Sequence, residues 1–278
     1  MATSEEARRL NQRINSVARN RGLAANRLRH HIAFQRVLAR LALDDKWVLK
    51  GGFSLEMRLG LGARATKDLD MLRMARPTSN PLDVQDLLQH ALDADLGDGF
   101  TFQVNMPRQM DIRDAEPSTW RVHLKTVYSG SLFTETVIDV VLADMTSGAD
   151  TEALTIAPEL VGQPFTITAI DLDRHAAEKY HACVRVYANE RTSTRVKDLV
   201  DLVLLVEGSW LHVDRLGSAL IRVFQERNGC EPPAKLSDEP PGGWVDSYPA
   251  VAAETGAENR DALEAWALIS RYYERALE

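Results

Sequence analysis

Along the first 43 residues apolar side chains recur every three or four positions. Leu10, Ile14 and Val17 form one stripe, and Leu28, Ile32, Val37, Leu38 and Leu41 a second, which predicts helices over 4–20 and 24–43. The period then changes. Lys46–Lys50 reads as a short strand running into Gly51-Gly52, and Phe53–Leu59 is helical again until Gly60 and Gly62 stop it. Thr66–Leu72 alternates as a strand. Pro81 opens a helix reaching Leu96, at a position where its missing amide proton costs least. Phe100–Met106, Arg121–Tyr128 and Phe133–Leu142 are rich in Val, Ile, Thr and aromatic residues and predict strands, the last two joined by a Ser129-Gly130 turn. Phe165–Ile170 predicts a final short strand.

From Asp171 onward the pattern is helical: 172–189, 195–207, 211–227 and 260–277. The Pro/Gly-rich stretch between the last two (Pro232, Pro233, Pro240, Pro241, Gly242, Gly243) reads most simply as a long loop. No internal repeat or low-complexity tract interrupts this order. The expected organisation is a basic helical arm over 1–44 packing on a mixed α/β core over 45–170, followed by a helical lobe over 171–278.

Composition narrows the class. The chain has 278 residues, of which 45% are hydrophobic and 26% charged, so it can bury a sizeable core and is not a disordered or fibrous polymer. No apolar run approaches the roughly 20 residues that cross a bilayer, and Met1–Arg9 has no apolar signal-peptide core. With Cys183 and Cys230 as its two cysteines, the chain has no disulfide framework, and a reducing cytoplasm is the expected location. The net charge of −7 is unevenly spread: residues 1–40 carry nine Arg (8, 9, 13, 19, 21, 27, 29, 36 and 40) against Glu5 and Glu6, so the remainder carries −14. A basic arm on an acidic body suits an anionic polymer such as nucleic acid, or an acidic partner protein; a solvated helix face explains it equally well.

Candidate chemistry is limited by what is missing. The sequence has no G-x-x-x-x-G-K-[ST], H-E-x-x-H, paired C-x-x-C or G-x-S-x-G motif. What it has is a strand–Gly51-Gly52–helix corner, where the backbone can approach a ligand and a helix N-terminus can receive a phosphate, followed by Asp68-Leu69-Asp70. Residues two apart on a strand share a face, so Asp68 and Asp70 set two carboxylates side by side. Mg²⁺, which takes one or two carboxylates plus substrate phosphates and water, is the ion such a pair suits; salt bridges to Arg64 or Lys67 are the competing explanation. Asp139 breaks an apolar strand, where an ionised group needs a cation or firm hydrogen bonds. It is the candidate third carboxylate, with Asp144 as its rival and a structural cap the better account of Asp144. His30, His31 and His123 have no partner at metal-ligand spacing; Trp210, Trp244 and Trp266 read as packing anchors, and Cys183 as apolar-facing.

These blocks resemble a known family. Lys50-Gly51-Gly52-Phe53-Ser54-Leu55 with Arg58, Arg64-Ala65-Thr66-Lys67-Asp68-Leu69-Asp70, Ala177-Glu178-Lys179-Tyr180-His181-Ala182 and Thr194-Arg195-Val196-Lys197-Asp198-Leu199-Val200-Asp201 look like the motifs of the AbiEii/AbiGii nucleotidyltransferase-like toxins, which include the MenT toxins, and occur in the family's order over about residues 45–210. The resemblance implies a polymerase-β-type nucleotidyltransferase core with a C-terminal helical lobe. It assigns nucleotide binding to Gly51, Gly52, Ser54, Lys179 and Arg195, Mg²⁺ to Asp68 and Asp70 with Asp139 third, and catalysis to Asp68, Asp70, Lys179 and Asp198. On it, Asp198 orients Lys179 or the acceptor hydroxyl, and Asp201 buttresses them. Helix-surface pairing is the competing account, Arg195 with Asp198 and Lys197 with Asp201.

The reading is a Mg²⁺-dependent enzyme moving a nucleotide from NTP to an acceptor hydroxyl, by resemblance the 3′ end of tRNA, with a cognate antitoxin as partner and no membrane. An NTP-binding regulator without transfer, or a protein-modifying nucleotidyltransferase or kinase of the same fold, would share these motifs.

Overall fold

In the computed structural model, residues 2–110, 119–143, 150–185 and 195–278 are described. They form two compact units: Met1–Ser54 with Ala65–Ala169, and Leu55–Arg64 with Ile170–Glu278.

The first unit is built on a mixed sheet. Its strands are β1 (Trp47–Leu49), β2 (Asp68–Met74), β3 (Phe100–Val104), β4 (Arg108–Gln109), β5 (Thr119–Tyr128), β6 (Ser131–Ala143), β7 (Thr151–Ile156) and β8 (Phe165–Ile170). Their order is β3-β5-β6-β2-β1-β8-β7, with β4 also paired to β5. β2 runs parallel to β6 and antiparallel to β1, and β5 and β6 form the long antiparallel hairpin. Alternation sorts each strand by face. Leu69, Met71, Trp120, Val122, Leu124, Ile138, Val140 and Leu142 are buried, while Asp68, Asp70, Arg121 and Asp139, on the other face, keep partial exposure. Helices α1 (Ala2–Asn20), α2 (Ala25–Leu41) and α4 (Pro81–Leu92) belong to this unit, with α2 packed against β6 and α4 against β3. Helix α3 (Gly51–Leu59) begins at the glycine corner.

The basic arm is not uniformly a solvent face. In α1, Arg8, Arg9, Arg13 and Arg19 are exposed, whereas Arg36 and Arg40 of α2 are 2% and 1% exposed. Arg40 donates through both terminal nitrogens to Asp98, at 2.8 and 3.1 Å, and to the Phe100 carbonyl at 2.8 Å, with its guanidinium 4.9 Å from the Phe102 ring centre. Arg36 stands 3.7 Å from the same carboxylate and over Phe165.

The second unit is helical. α5 (Leu172–Val184), α6 (Val196–Glu207), α7 (Val213–Asn228), α8 (Trp244–Ala253) and α9 (Ala262–Leu277) close around Tyr180, Leu199, Leu202, Leu220, Trp244, Trp266 and Tyr273. The stretch expected to be a bare loop contains α8, with Pro249 inside it. Tyr273 donates to the Pro233 carbonyl at 2.7 Å and Trp266 to that of Ser237 at 2.7 Å, which ties the proline-rich stretch before α8 to the core. Trp244 and Trp266 are the expected anchors, but Trp210 lies between α6 and α7 at 42% exposure, its ring covering Gly208. Two strands were not foreshadowed by the pattern: β4, of two residues, and β7, whose Thr-Glu-Ala-Leu-Thr-Ile sequence mixes strand and helix formers at a sheet edge. Asp144 lies outside the described residues. Among the described residues no helix is long and apolar enough to cross a membrane.

Removing Arg40 strands a buried carboxylate. Burial by itself would raise the Asp98 pKa, but hydrogen bonds from Arg40 and the Phe100 amide hold it below the ordinary range. Its contribution is therefore present above the usual carboxylate pKa and is lost as pH falls through the depressed value. Arg40→Met is expected to cost about 3–5 kcal/mol, read as a lower urea midpoint at neutral pH, with the deficit shrinking in acid.

Candidate functional site

The first cluster of candidate residues starts at a corner. β1 is three apolar residues, all buried, and the chain turns out of it at Lys50, whose amide donates to the Asp70 carbonyl at 2.9 Å. Gly51 has φ +62°, in the left-handed region, and a Cβ there would overlap the Asp70 carboxylate. The glycine is needed twice over: for its backbone angle and for the acid beside it. Gly52 follows as the second residue of α3, half-buried, and Ser54 is fully buried one turn in.

Asp68 and Asp70 share the partly exposed face of β2, as the spacing predicted. The parallel register sets Asp70 directly opposite Asp139 of β6, and the antiparallel register sets Asp139 opposite Arg121 of β5. Asp70, Asp139 and Arg121 thus form one row across three strands, with Asp68 a residue pair away. Arg121 grips Asp139 side-on, Nε to Oδ1 at 2.9 Å and Nη2 to Oδ2 at 2.6 Å, and the same Nη2 is 3.7 Å from Asp68 Oδ2. The hydrogen bond to Asp139, with the charges of Asp139, Asp68 and Asp70 added to it, holds the guanidinium above its ordinary pKa despite some burial. Thr66 Oγ1 donates to Asp68, reaching its carbonyl at 3.1 Å and Oδ1 at 3.4 Å. The cation found on Asp139 and beside Asp68 is Arg121, a residue the spacing did not point to. Among the described residues no group of three or more His, Cys, Asp or Glu side chains is placed to hold a metal ion as it stands. Asp68 and Asp70 suit Mg²⁺ as a two-carboxylate pair of hard oxygen donors beside a glycine corner, while both oxygens of Asp139 are taken by Arg121.

The second cluster lies in the helical unit. Lys179 of α5 donates to Asp198 Oδ1 at 2.9 Å and Asp201 Oδ2 at 2.8 Å, two carboxylates one turn apart on α6. Arg195 reaches Asp198 Oδ2 at 2.9 Å, and Arg64 reaches Asp201 Oδ2 at 3.3 Å. The side chains of Lys179, Asp198 and Asp201 are only 8%, 5% and 3% exposed. The Arg195–Asp198 pair anticipated on the helix surface exists, but Asp201 turns inward to Lys179 and Arg64 while Lys197 is exposed. Burial alone would lower the Lys179 pKa; the two carboxylates outweigh it and hold the ammonium above its ordinary value. Burial likewise pushes Asp201 up, and Lys179 and Arg64 bring it below the usual carboxylate range. Cys183, buried on the same helix, has its thiol pushed well up by desolvation, which makes it inert.

Sequence reasoning passed over Arg121, and named Arg64 and Thr66 only as neighbours of the aspartates. The profile of a family described as nucleotidyl transferase AbiEii toxin, type IV TA system, matches residues 32–277. No curated protein matches the chain. Two solved structures from Helicobacter pylori are similar at 17% identity: JHP933, with TM-score 0.50 over 92% of this chain and 93% of that one, and a nucleotidyltransferase candidate, with TM-score 0.49 over 92% and 96%. The first of these supports a shared fold.

The ion cluster sets a pH window. Lys179 contributes fully below the ordinary lysine pKa and loses its contribution as pH rises through the raised value; Asp201 contributes above the ordinary aspartate pKa and loses it as pH falls through the lowered one. Wild-type stability should therefore be flat near neutrality with respect to this cluster. Lys179→Met is expected to cost about 3 kcal/mol, because Arg64 and Arg195 still face the stranded acids. Adding Asp198→Asn should recover part of that loss in urea unfolding followed by circular dichroism.

Proposed function

Because this chain belongs to the AbiEii family of nucleotidyl transferase toxins of type IV toxin–antitoxin systems, we propose that it is a Mg²⁺-dependent enzyme that moves a nucleotide from an NTP to an acceptor hydroxyl at the 3′ end of tRNA, and that a cognate antitoxin restrains it. The observation that carries the reading is the pairing of Asp68 and Asp70 on one strand face with Asp70 pressed against Gly51 at the start of α3. Asp68 and Asp70 would hold a divalent ion, which would offset the charge that gathers on the triphosphate when its α-phosphorus is attacked. The first turn of α3 supplies amide donors without intrahelical partners, which suit phosphate oxygens. The acceptor oxygen forms the new bond to the α-phosphorus, the bond to pyrophosphate breaks, and the hydroxyl proton is released. Lys179, fixed by Asp198 and Asp201, and Arg195 are assigned to nucleotide phosphates on the family's motifs.

The exposed arginines of α1 support an RNA acceptor. Arg8, Arg13 and Arg19 line a solvent-facing helix surface, and phosphate contacts of that kind dominate RNA affinity. α1 also precedes the stretch matched by the family profile, so the acceptor contacts it offers are additional to the nucleotide site.

Two measurements test this. With Mg²⁺, each labelled NTP in turn and total tRNA, wild type should label the RNA, and Asp68→Ala or Lys179→Ala should reduce labelling to background. Equal labelling by wild type and variants refutes the site, NTP binding without transfer points to a regulator, and label appearing on protein points to a different acceptor. Replacing Arg8, Arg13 and Arg19 together by Gln should raise KM for RNA while leaving KM for NTP unchanged, and should flatten the salt dependence of RNA binding by about one unit of slope per lost phosphate contact.

A further inference from the structure

Arg121 does not belong to any of the motifs that define the nucleotide site, yet it is the side chain through which three strands meet. We propose that Arg121 is a positioning residue for the divalent-ion site: it holds Asp139 in line and balances the acidic row, and metal binding takes Asp139 from it. The inference rests on the assignment of Asp68 and Asp70 as metal ligands.

Three observations carry it. The register is fixed by backbone hydrogen bonding, so Asp70, Asp139 and Arg121 stand in one row whatever their side chains do. Arg121 spends Nε and Nη2 on the two oxygens of Asp139, a fork that competes with an ion for this carboxylate, and lies 3.7 Å from Asp68. The row is not sealed in: Arg121 and Asp68 are 37% and 42% exposed against 12% for Asp139, so the guanidinium can swing out while the acid stays.

A cation in that place has two effects on an incoming divalent ion. It competes for Asp139 and it repels the ion, so its removal should tighten metal binding. It also offsets part of the charge of three neighbouring acids, so its removal should destabilise the protein wherever no metal is present. A residue that merely buttresses the hairpin would give only the second effect.

The test is Mn²⁺ binding followed by electron paramagnetic resonance, with thermal unfolding in EDTA and in Mg²⁺, on the full chain. Arg121→Met keeps the aliphatic stem. It should bind Mn²⁺ about tenfold more tightly than wild type, which corresponds to 1.4 kcal/mol. It should melt lower in EDTA and gain more from Mg²⁺ than wild type does. Arg121→Lys, with the charge but not the fork, should fall between. Placing Asp139→Asn in the Arg121→Met background should remove most of the gain in affinity, leaving the part that comes from lost charge repulsion. Unchanged or weaker Mn²⁺ binding by Arg121→Met overturns the inference, and so does a gain that Asp139→Asn leaves undiminished. Binding by wild type that is lost in Asp68→Ala keeps the metal reading standing in those cases; no Mn²⁺ binding by wild type or Arg121→Met overturns both.

Discussion

Like charges on neighbouring strands of one sheet face stand about 4.8 Å apart and cannot both ionise cheaply unless a cation joins them. That constraint organises the first unit. Asp70 and Asp139 are forced together by the parallel pairing of β2 and β6, and the antiparallel pairing of β5 brings in Arg121 as the balancing charge. Everything around the row keeps it in register. Leu69, Met71, Ile138 and Val140 anchor the opposite face, Thr66 ties down Asp68, and the absence of a side chain at Gly51 leaves Asp70 its place. The acids are held by backbone pairing, so their spacing does not depend on flexible side chains.

The helical unit meets the same constraint differently. Asp198 and Asp201, one turn apart on α6, are joined by Lys179 and capped by Arg195 and Arg64. Exposure separates the two arrangements. A lysine at 8% exposure between two acids below 6% has no water to move into, so its charge is fixed in place. Arg121 at 37% has solvent on one side and can exchange its partner. One cluster is closed off from solvent, and the other is an acidic row whose cation is partly exposed.

Much of this was legible in the sequence because it depends on local period. The shared face of Asp68 and Asp70 follows from a two-residue repeat, and the Gly51 corner from a strand meeting a helix. Arg121 was not legible, for a reason that lies in the hairpin. Closed tightly about Ser129-Gly130, β5 and β6 pair Tyr128 with Ser131, and continuing that register would set Trp120 opposite Asp139. A bulge between Thr126 and Val127 shifts the pairing by one and puts Arg121 there instead. A one-residue slip moves every side chain to the other face, so without the bulge a tryptophan would pair with the acid and the arginine would face the core. Helix α8 escaped for a local reason: glycines and prolines precede it and Pro249 interrupts it, so tertiary contacts to Trp244 and Tyr248, both buried, hold a helix that propensity does not favour.

The arginines of the N-terminal helices show where counting charges misleads. Nine arginines in 40 residues suggest one basic surface, yet α2 buries Arg36 and Arg40 around Asp98 while α1 exposes its own. The helical period contained the distinction. Leu28, Ile32, Arg36 and Arg40 recur every four residues, so the two arginines continue the apolar stripe that Leu28 and Ile32 begin. A charge on that stripe must meet an opposite charge inside, and Asp98 provides it. In α1 the stripe is Leu10, Ile14 and Ala18, and Arg8, Arg9, Arg13 and Arg19 all fall off it. The same residue type thus serves the core of one helix and the surface of the next, and position relative to the apolar stripe decides which. The family profile begins at residue 32, within the helix that buries Arg36 and Arg40, and leaves out α1. Among the arginines of these two helices, Arg8, Arg9, Arg13 and Arg19 of α1 are the exposed ones.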